Sequence, residues 1–302
     1  MALVFLLYAL FASVFTISKM SLQYAQPFFF VGTRMLFAGV LMLIYQFFRD
    51  RANFLFLKKD FIYFLALGFF SIYLTNVLEF WGLKYLTSFK TCFIYSLSPF
   101  VSALLSYFLL AEKMNRNKWL GLLVGFSGFI PILLTSTQDE EQAGHLMMLS
   151  WAEIAVVIAA ISSVYGWILL KQLVADKNYT PFMANGVSMI IGGSLALFHS
   201  SLVETWNPLP VNEAIPFMEC ALLLIIVSNL ICYNLYGSLL RKYSPTFMSF
   251  AGFTTPFFTA LFGWFYLEEV VSLPFFISAT IVLSGLFIFY LEELKKPYMI
   301  QT

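Results

Sequence analysis

Ten long apolar runs divide this chain, and they limit its fold more than any other feature of the sequence. Each run holds about 20 residues, the length that an α-helix needs to cross the hydrocarbon core of a bilayer. The chain is 61% hydrophobic and only 11% charged, whereas a soluble domain carries about 25% charged residues. We therefore predict an all-α integral membrane protein with ten transmembrane helices, at approximately 2–18, 27–48, 61–81, 87–110, 118–136, 151–170, 181–200, 216–239, 245–267 and 273–291.

Lysine and arginine gather in alternate links between these runs. Basic residues are retained on the cytoplasmic side of a membrane, so their distribution sets the orientation. The net charge of +1 gives no reason to expect a nucleic-acid partner. With the N-terminus and the C-terminus both cytoplasmic, 13 of the 17 basic residues lie inside. They are Arg49, Arg51, Lys58, Lys59, Lys113, Arg116, Lys118, Lys171, Lys177, Arg241, Lys242, Lys295 and Lys296.

Two segments of the chain share one sequence pattern. Residues 99–113 read PFVSALLSYFLLAEK and residues 256–270 read PFFTALFGWFYLEEV, with seven of fifteen aligned positions identical. The same offset of 157 residues superposes the Ser-Gly pair at 127–128 on the pair at 284–285. The chain thus has two halves of five helices, and because five is odd the second half enters the membrane from the opposite side. Such inverted repeats are typical of secondary transporters, which bind substrate near the midplane between the halves.

The repeat divides the chain into three parts. Residues 1–137 form the first five-helix repeat, and residues 151–302 form the second repeat with a short cytoplasmic tail. The acidic link at 138–150 is predicted on the extracytoplasmic side. Pro99 and Pro256 occupy equivalent positions in the two repeats. Because a proline removes one backbone hydrogen bond, we expect a helix bend at each of them.

Three stretches carry a resemblance to a known family. They read PFFFVGTRMLFAGVLML at 27–43, LSPFVSALLSYFLLAEKMNRNKWLGLLVGFSGFIPI at 97–132 and TTPFFTALFGWFYLEEVVSLPFFISATIVLSGLFIFY at 254–290. On these stretches the chain resembles the drug/metabolite transporter superfamily, in its branch of ten-helix proteins with two EamA domains. Arg34 lies at the arginine position of the family's second helix, whereas Ser188 stands at the aligned position of the second half. The resemblance implies alternating access around a central cavity, with amino acids, nucleotide derivatives, sugars or drugs as substrates.

Ionisable side chains within the apolar runs are the first candidates for a functional site, since a charge at the bilayer centre costs about 2.5–3.5 kcal/mol. Arg34 either has a structural role, reaching outward or bonding backbone carbonyls, or attracts an anionic group such as a substrate carboxylate. Glu79 lies three residues after Asn76 on one helical face. It either pairs with Arg34 or Lys90, or binds a cation, a substrate ammonium or a coupling proton. We expect Lys90 to reach water and Glu153 to lie at the membrane interface.

Polar and aromatic residues in other runs form a second set of candidates. Asn229 and Tyr233 share one face of the eighth helix, and Asn234 is the repeat equivalent of the asparagine in the third. These groups either join helices by hydrogen bonds or line a cavity, because polar groups at membrane depth must meet protein, water or ligand. Tyr95 and Trp167 can stack a planar ring or hold a cation over a ring face.

The sequence shows none of the residue sets that would identify an intramembrane enzyme or a channel. His145 and His199 are its two histidines, and both are predicted at the outer edge. No Ser/His/Asp set, HExxH motif, phosphate loop or metal cluster is present, and no filter or charged ring points to a channel. We therefore predict a secondary active transporter without catalytic residues, cofactor or metal. A passive channel or an intramembrane enzyme is the alternative.

The mixture of acidic, basic, amide and aromatic groups suits a zwitterionic metabolite. Within the family that the chain resembles, we favour S-adenosylmethionine-like solutes and amino acids as substrates. We expect a coupled proton, an exchanged counter-solute or the gradient of the substrate itself to drive transport. Membrane lipid is the other expected partner, and the predicted location is a bacterial-type inner membrane, which the protein crosses many times.

Overall fold

The computed structural model describes residues 2–51, 54, 57–110, 114–243, 247–248 and 251–290. Nearly all of its regular structure is helical, and the exception is one short hairpin. The elements are α1 (Ala2–Ser21), α2 (Pro27–Arg49), α3 (Lys58–Tyr85), α4 (Ser88–Tyr95), α5 (Ser98–Leu110), α6 (Arg116–Ser127), α7 (Ile130–Leu133), α8 (Gln138–Gln142), β1 (His145–Leu146), β2 (Leu149–Ser150), α9 (Trp151–Asp176), α10 (Pro181–Val203), α11 (Ala214–Leu239), α12 (Thr255–Leu267) and α13 (Leu273–Tyr290).

Eight helices in the described part of the chain are long and apolar enough to cross a membrane. Seven of them are α1, α2, α3, α9, α10, α11 and α13, and α4 with the first part of α5 forms the eighth, Ser88–Leu105. Two of the ten predicted runs, 118–136 and 245–267, are not among these eight. The first is divided at residues 128–129, between α6 and α7, and α12 accounts for only 13 residues of the second. The fold is nevertheless that of a multi-pass, α-helical membrane protein.

The outside of the bundle is apolar, and charged groups lie inside it. Phe37, Phe108 and Phe265 expose 65%, 71% and 69% of their surface, whereas Arg34 exposes 1% and Glu79 exposes 9%. A protein in water rarely exposes large contiguous apolar patches. The arrangement therefore suits a lipid environment around the helices and a polar site between them.

Two helices contain a π-helical segment at repeat-related positions. Gly68–Leu74 in α3 and Ile225–Cys232 in α11 start 157 residues apart, which is the offset of the sequence repeat. A π-turn shifts the backbone bonds from i+4 to i+5. Asn76 and Asn234 lie just beyond these segments. Each donates from Nδ2 to the backbone carbonyls four and five residues earlier, at 2.9 and 3.2 Å, so both halves stabilise the same distortion in the same way.

Neither Pro99 nor Pro256 lies in the middle of a continuous helix. The predicted run 87–110 is interrupted after Tyr95, and Pro99 is in the first turn of α5. Pro256 is in the first turn of α12, directly after a 3-10 turn at Gly252–Thr254. A proline in the first turn sacrifices no helical hydrogen bond, because the first N–H groups of a helix have no partner within it. Both prolines therefore begin a new helical segment.

Helices α2 and α10 occupy equivalent positions in the two halves and pack closely through glycine. A Cβ atom at Gly39 would lie 2.8 Å from the carbonyl oxygen of Gly186, and one at Gly193 would lie 3.0 Å from that of Gly32. Lipid supplies no hydrophobic drive between helices, so close backbone packing of small residues takes its place. The contact of α2 with α10 holds the two halves together along much of both helices.

The predicted acidic link at 138–150 is folded. The side chain of Thr137 accepts a hydrogen bond from the backbone of Glu140 and caps α8, and β1 and β2 then form the hairpin. A capping box starts α9, in which Ser150 and Glu153 each accept a bond from the backbone N–H of the other. Glu140 and Glu153 are thereby held at fixed positions, where both are 1% exposed.

Candidate functional site

A cavity lies inside the bundle, between helices of the two sequence halves. Its walls come mainly from α1, α2, α3 and α4 of the first half and from α9 and α11 of the second, and residues at the start of α12 also contribute. Six candidates from the sequence line this one cavity: Arg34, Asn76, Glu79, Tyr95, Trp167 and Tyr233.

Arg34 is buried in the wall of the cavity, with 1% of its surface exposed. The Nη2 atom donates to Oδ1 of Asn76 at 2.9 Å, and the guanidinium carbon lies 5.0 Å from the centre of the Phe80 ring. The Nε and Nη1 atoms are buried, and neither has a hydrogen-bond partner among the described residues. The outward orientation expected as one alternative is therefore wrong, and two nitrogens of a side chain that lines the cavity lack an acceptor among the described residues.

Glu79 lies about one helical turn after Asn76 on α3 and lines the same cavity. Its Oε2 atom accepts a hydrogen bond from the hydroxyl of Tyr95 at 2.6 Å. The anticipated partner Lys90 does not pair with Glu79, since its Nζ atom contacts other carboxylates. Arg34 and Glu79 thus present a cation and a carboxylate within one cavity, an arrangement that can bind a zwitterion.

Aromatic rings form much of the remaining wall. Trp167 of α9 stacks on Tyr236 of α11 with a centroid distance of 4.1 Å, and Tyr233 lies 5.3 Å from the same indole. Beside Glu79, the rings of Phe15 and Tyr95 meet edge to face at 5.5 Å. Such walls offer apolar faces with polar tips, which can hold a planar ring or a soft cation.

Asn229 and Asn234 do not line the cavity. The Nδ2 atom of Asn229 lies 3.2 Å from the sulfur of Met35 on α2, and Oδ1 of Asn234 accepts from Asn185 of α10 at 3.3 Å. Both amides are buried. They lie where α11 packs against α2 and α10, so their polar atoms join helices in this structure.

Lys90 and Glu153 are both buried inside the protein, so the expectation that Lys90 reaches water is wrong. Lys90 is 3% exposed, and its Nζ atom lies 2.9 Å from Glu140 Oε1 and 2.8 Å from Glu153 Oε1. It also donates to the carbonyl of Thr135. Burial is possible because one ammonium group meets two carboxylates and a backbone oxygen, which replace its water. This cluster fastens the folded link to α4, away from the cavity lining.

Three aromatic residues of α1 that line the cavity were not predicted. Tyr8, Phe11 and Phe15 lie in an apolar run with no charge or amide beside them. An aromatic side chain facing lipid and one facing a cavity produce the same sequence pattern. Only the seven-residue spacing of Tyr8 and Phe15, with Phe11 between them, indicates one common helix face.

The fold and the site together define a class of protein. A multi-pass helical bundle that encloses charged and aromatic groups between its halves is the architecture of a membrane transporter. The profile of the EamA-like transporter family matches residues 1–134 and 150–291. The chain belongs to this family, which confirms the resemblance seen in the sequence.

Individual relatives extend this result. The chain is 36% identical to the S-adenosylmethionine/S-adenosylhomocysteine transporter of Chlamydia muridarum (strain MoPn / Nigg), over 99% of this chain and 94% of that protein. The protein of the same name from Chlamydia trachomatis serovar L2 is also 36% identical, over 99% and 91%. An uncharacterized transporter of Bacillus subtilis is 28% identical over 68% of each chain. The protein is thus a transporter of a small metabolite, and its bacterial relatives indicate the plasma membrane.

A solved structure shares the fold at low sequence identity. It superposes with a TM-score of 0.65 and covers 95% of both chains, at 14% identity. The similarity extends over nearly the whole chain and therefore concerns the complete bundle.

Proposed function

We propose that this protein carries S-adenosylmethionine, S-adenosylhomocysteine or a close zwitterionic analogue across the membrane by alternating access. The observation that carries this proposal is the cavity in which Arg34 and Glu79 lie among aromatic side chains. A solute carboxylate suits the free N–H groups of Arg34, a positively charged group suits Glu79, and an adenine ring suits a face such as that of Trp167. The two chlamydial relatives support the same solute class.

A simple amino acid is the other candidate among zwitterionic solutes. It would use the charges of Arg34 and Glu79 but not the aromatic surface that Trp167, Tyr233 and Tyr95 contribute to the cavity. The aromatic wall therefore favours the adenosyl compounds.

The proposed cycle requires two halves that alternate around the cavity. We propose ten transmembrane helices with both termini cytoplasmic, and repeats 1–137 and 151–302 joined by an extracytoplasmic link at 138–150. The matching π-segments of α3 and α11 support the repeat, and the basic links support the orientation.

A cysteine introduced at the exposed Lys84 should react with an impermeant reagent from outside, whereas one at the exposed Lys59 should react only after permeabilisation.

Purified protein in liposomes tests the transport proposal. We expect vesicles preloaded with S-adenosylhomocysteine to accumulate radiolabelled S-adenosylmethionine faster than empty vesicles, with sugars and nucleosides carried far more slowly. A repeat with an imposed pH gradient separates proton coupling from exchange. Arg34→Met should abolish the flux, and Lys84→Met, a change at an exposed helix end, should not. Monodisperse wild-type protein that moves neither adenosyl compound would contradict the proposal.

A further inference from the structure

We propose that Glu79 is the cation subsite of the cavity and that it selects the sulfonium of S-adenosylmethionine over the neutral thioether of S-adenosylhomocysteine. This inference rests on the proposed function, because it assigns one part of that solute to one side chain. The two solutes differ by a methyl group and a positive charge on sulfur. Any residue that separates them by charge must present a negative group at that sulfur.

Glu79 has the capacity for such a cation. It is buried, it contributes to the cavity wall, and within the described part of the chain it forms no ion pair. Among the described residues, its side chain accepts a hydrogen bond from the neutral hydroxyl of Tyr95. The neighbouring cation Lys90 is held by two other carboxylates. The charge of Arg34 acts on Glu79 without a direct ion pair. A carboxylate at membrane depth without a directly paired cation is costly, so a positively charged solute would complete its surroundings.

The surroundings of Glu79 suit a sulfonium better than an ammonium group. An ammonium group has three N–H donors and needs acceptors for each of them. The Tyr95 ring, whose hydroxyl is bonded to Glu79, packs edge to face on Phe15, so aromatic rings that carry no strong acceptor on their faces lie beside the carboxylate. A sulfonium has a charge and no N–H donor. A carboxylate and adjacent aromatic faces can therefore replace its water without leaving a donor unpaired.

Arg34 serves the part of the solute that both compounds share. Its Nε and Nη1 atoms are buried and unpartnered among the described residues, although Nη2 is bonded to Asn76. Buried N–H groups in native proteins nearly always have an acceptor. The carboxylate of the amino-acid end would fill this position in either compound. Loss of Arg34 should therefore weaken both solutes, whereas loss of the Glu79 charge should weaken one.

Equilibrium binding of the two compounds to detergent-purified protein tests the inference. We expect Glu79→Gln to raise the dissociation constant of S-adenosylmethionine about tenfold or more and that of S-adenosylhomocysteine about twofold or less. The glutamine can still accept the Tyr95 hydrogen bond, so the change removes mainly charge. Lys84→Met removes an exposed charge outside the cavity lining and should leave both constants unchanged. Arg34→Met should raise both constants by similar factors.

The outcomes separate this inference from the function on which it rests. Equal weakening of both compounds by Glu79→Gln, or no change in either, would overturn the role of Glu79 and leave the transport proposal intact. If wild-type protein bound neither compound, the transport proposal itself would fall, and the inference with it. Should Glu79→Gln not fold, Glu79→Asp withdraws the carboxylate by one methylene. For the inference to stand, Glu79→Asp must then raise the dissociation constant of S-adenosylmethionine relative to that of S-adenosylhomocysteine.

Discussion

Two buried cations in this protein have opposite surroundings. Lys90 meets Glu140, Glu153 and a backbone carbonyl, so its charge is used within the protein. Arg34 bonds to one amide oxygen and keeps two nitrogens, Nε and Nη1, without a partner among the described residues. Buried groups without partners are rare and need an explanation. The first arrangement holds the structure together, and the second is the one that we propose binds the solute.

Removing the Lys90 charge should destabilise the fold. Lys90→Met leaves two buried carboxylates without their cation, and breaking a buried ion pair from one side costs about 3–5 kcal/mol. We expect a clear fall in the thermal unfolding temperature in detergent. Lys84→Met, at an exposed site near the end of α3, is the matched control, and a surface change of this kind typically stays within about 0.5 kcal/mol. Equal melting temperatures for the two variants would show that the cluster is not structural.

The helices illustrate what the sequence could and could not predict. Apolar length and charge bias predict the eight membrane helices of the described structure, and polar residues in apolar runs predict Arg34, Asn76 and Glu79 at the cavity. The π-segments were not predicted, because an i+5 turn needs no particular residue type. In the sequence, the repeat-related residues Asn76 and Asn234 were the only signal of the two segments that precede them. Side chains of α1 such as Phe15 escaped prediction because lipid and cavity accept the same aromatic residues.

Close packing of α2 against α10 should be sensitive to a single methyl group. A Cβ atom at Gly39 would approach the carbonyl oxygen of Gly186 to 2.8 Å and Ile190 Cγ1 to 2.9 Å. Gly39→Ala should therefore push the two helices apart and lower stability by about 1–3 kcal/mol, the usual cost of overpacking. Val40→Ala, on the exposed side of the same helix, is the control. Thermal unfolding in detergent measures both, and a larger effect at Val40 would contradict this view of the interface.

At the scale of the whole molecule, the two halves use related elements for different purposes. The α3 and α11 helices carry the same π-segment and the same asparagine bonds, so the local distortion is shared. The charged residues of the cavity are not repeated in the second half. Arg34 and Glu79 lie in the first half, whereas the stacked pair Trp167 and Tyr236 lies in the second. A zwitterion with an aromatic ring would bridge the halves, and its binding would thereby be linked to their relative movement.

A structure of the protein with bound S-adenosylhomocysteine tests this account most directly. We expect the ligand to occupy the central cavity, with its carboxylate within hydrogen-bonding distance of Nε or Nη1 of Arg34, its sulfur near Glu79 and its adenine against the aromatic wall at Trp167. A ligand bound outside this cavity, with no acceptor at Nε or Nη1 of Arg34, would contradict the proposed binding site.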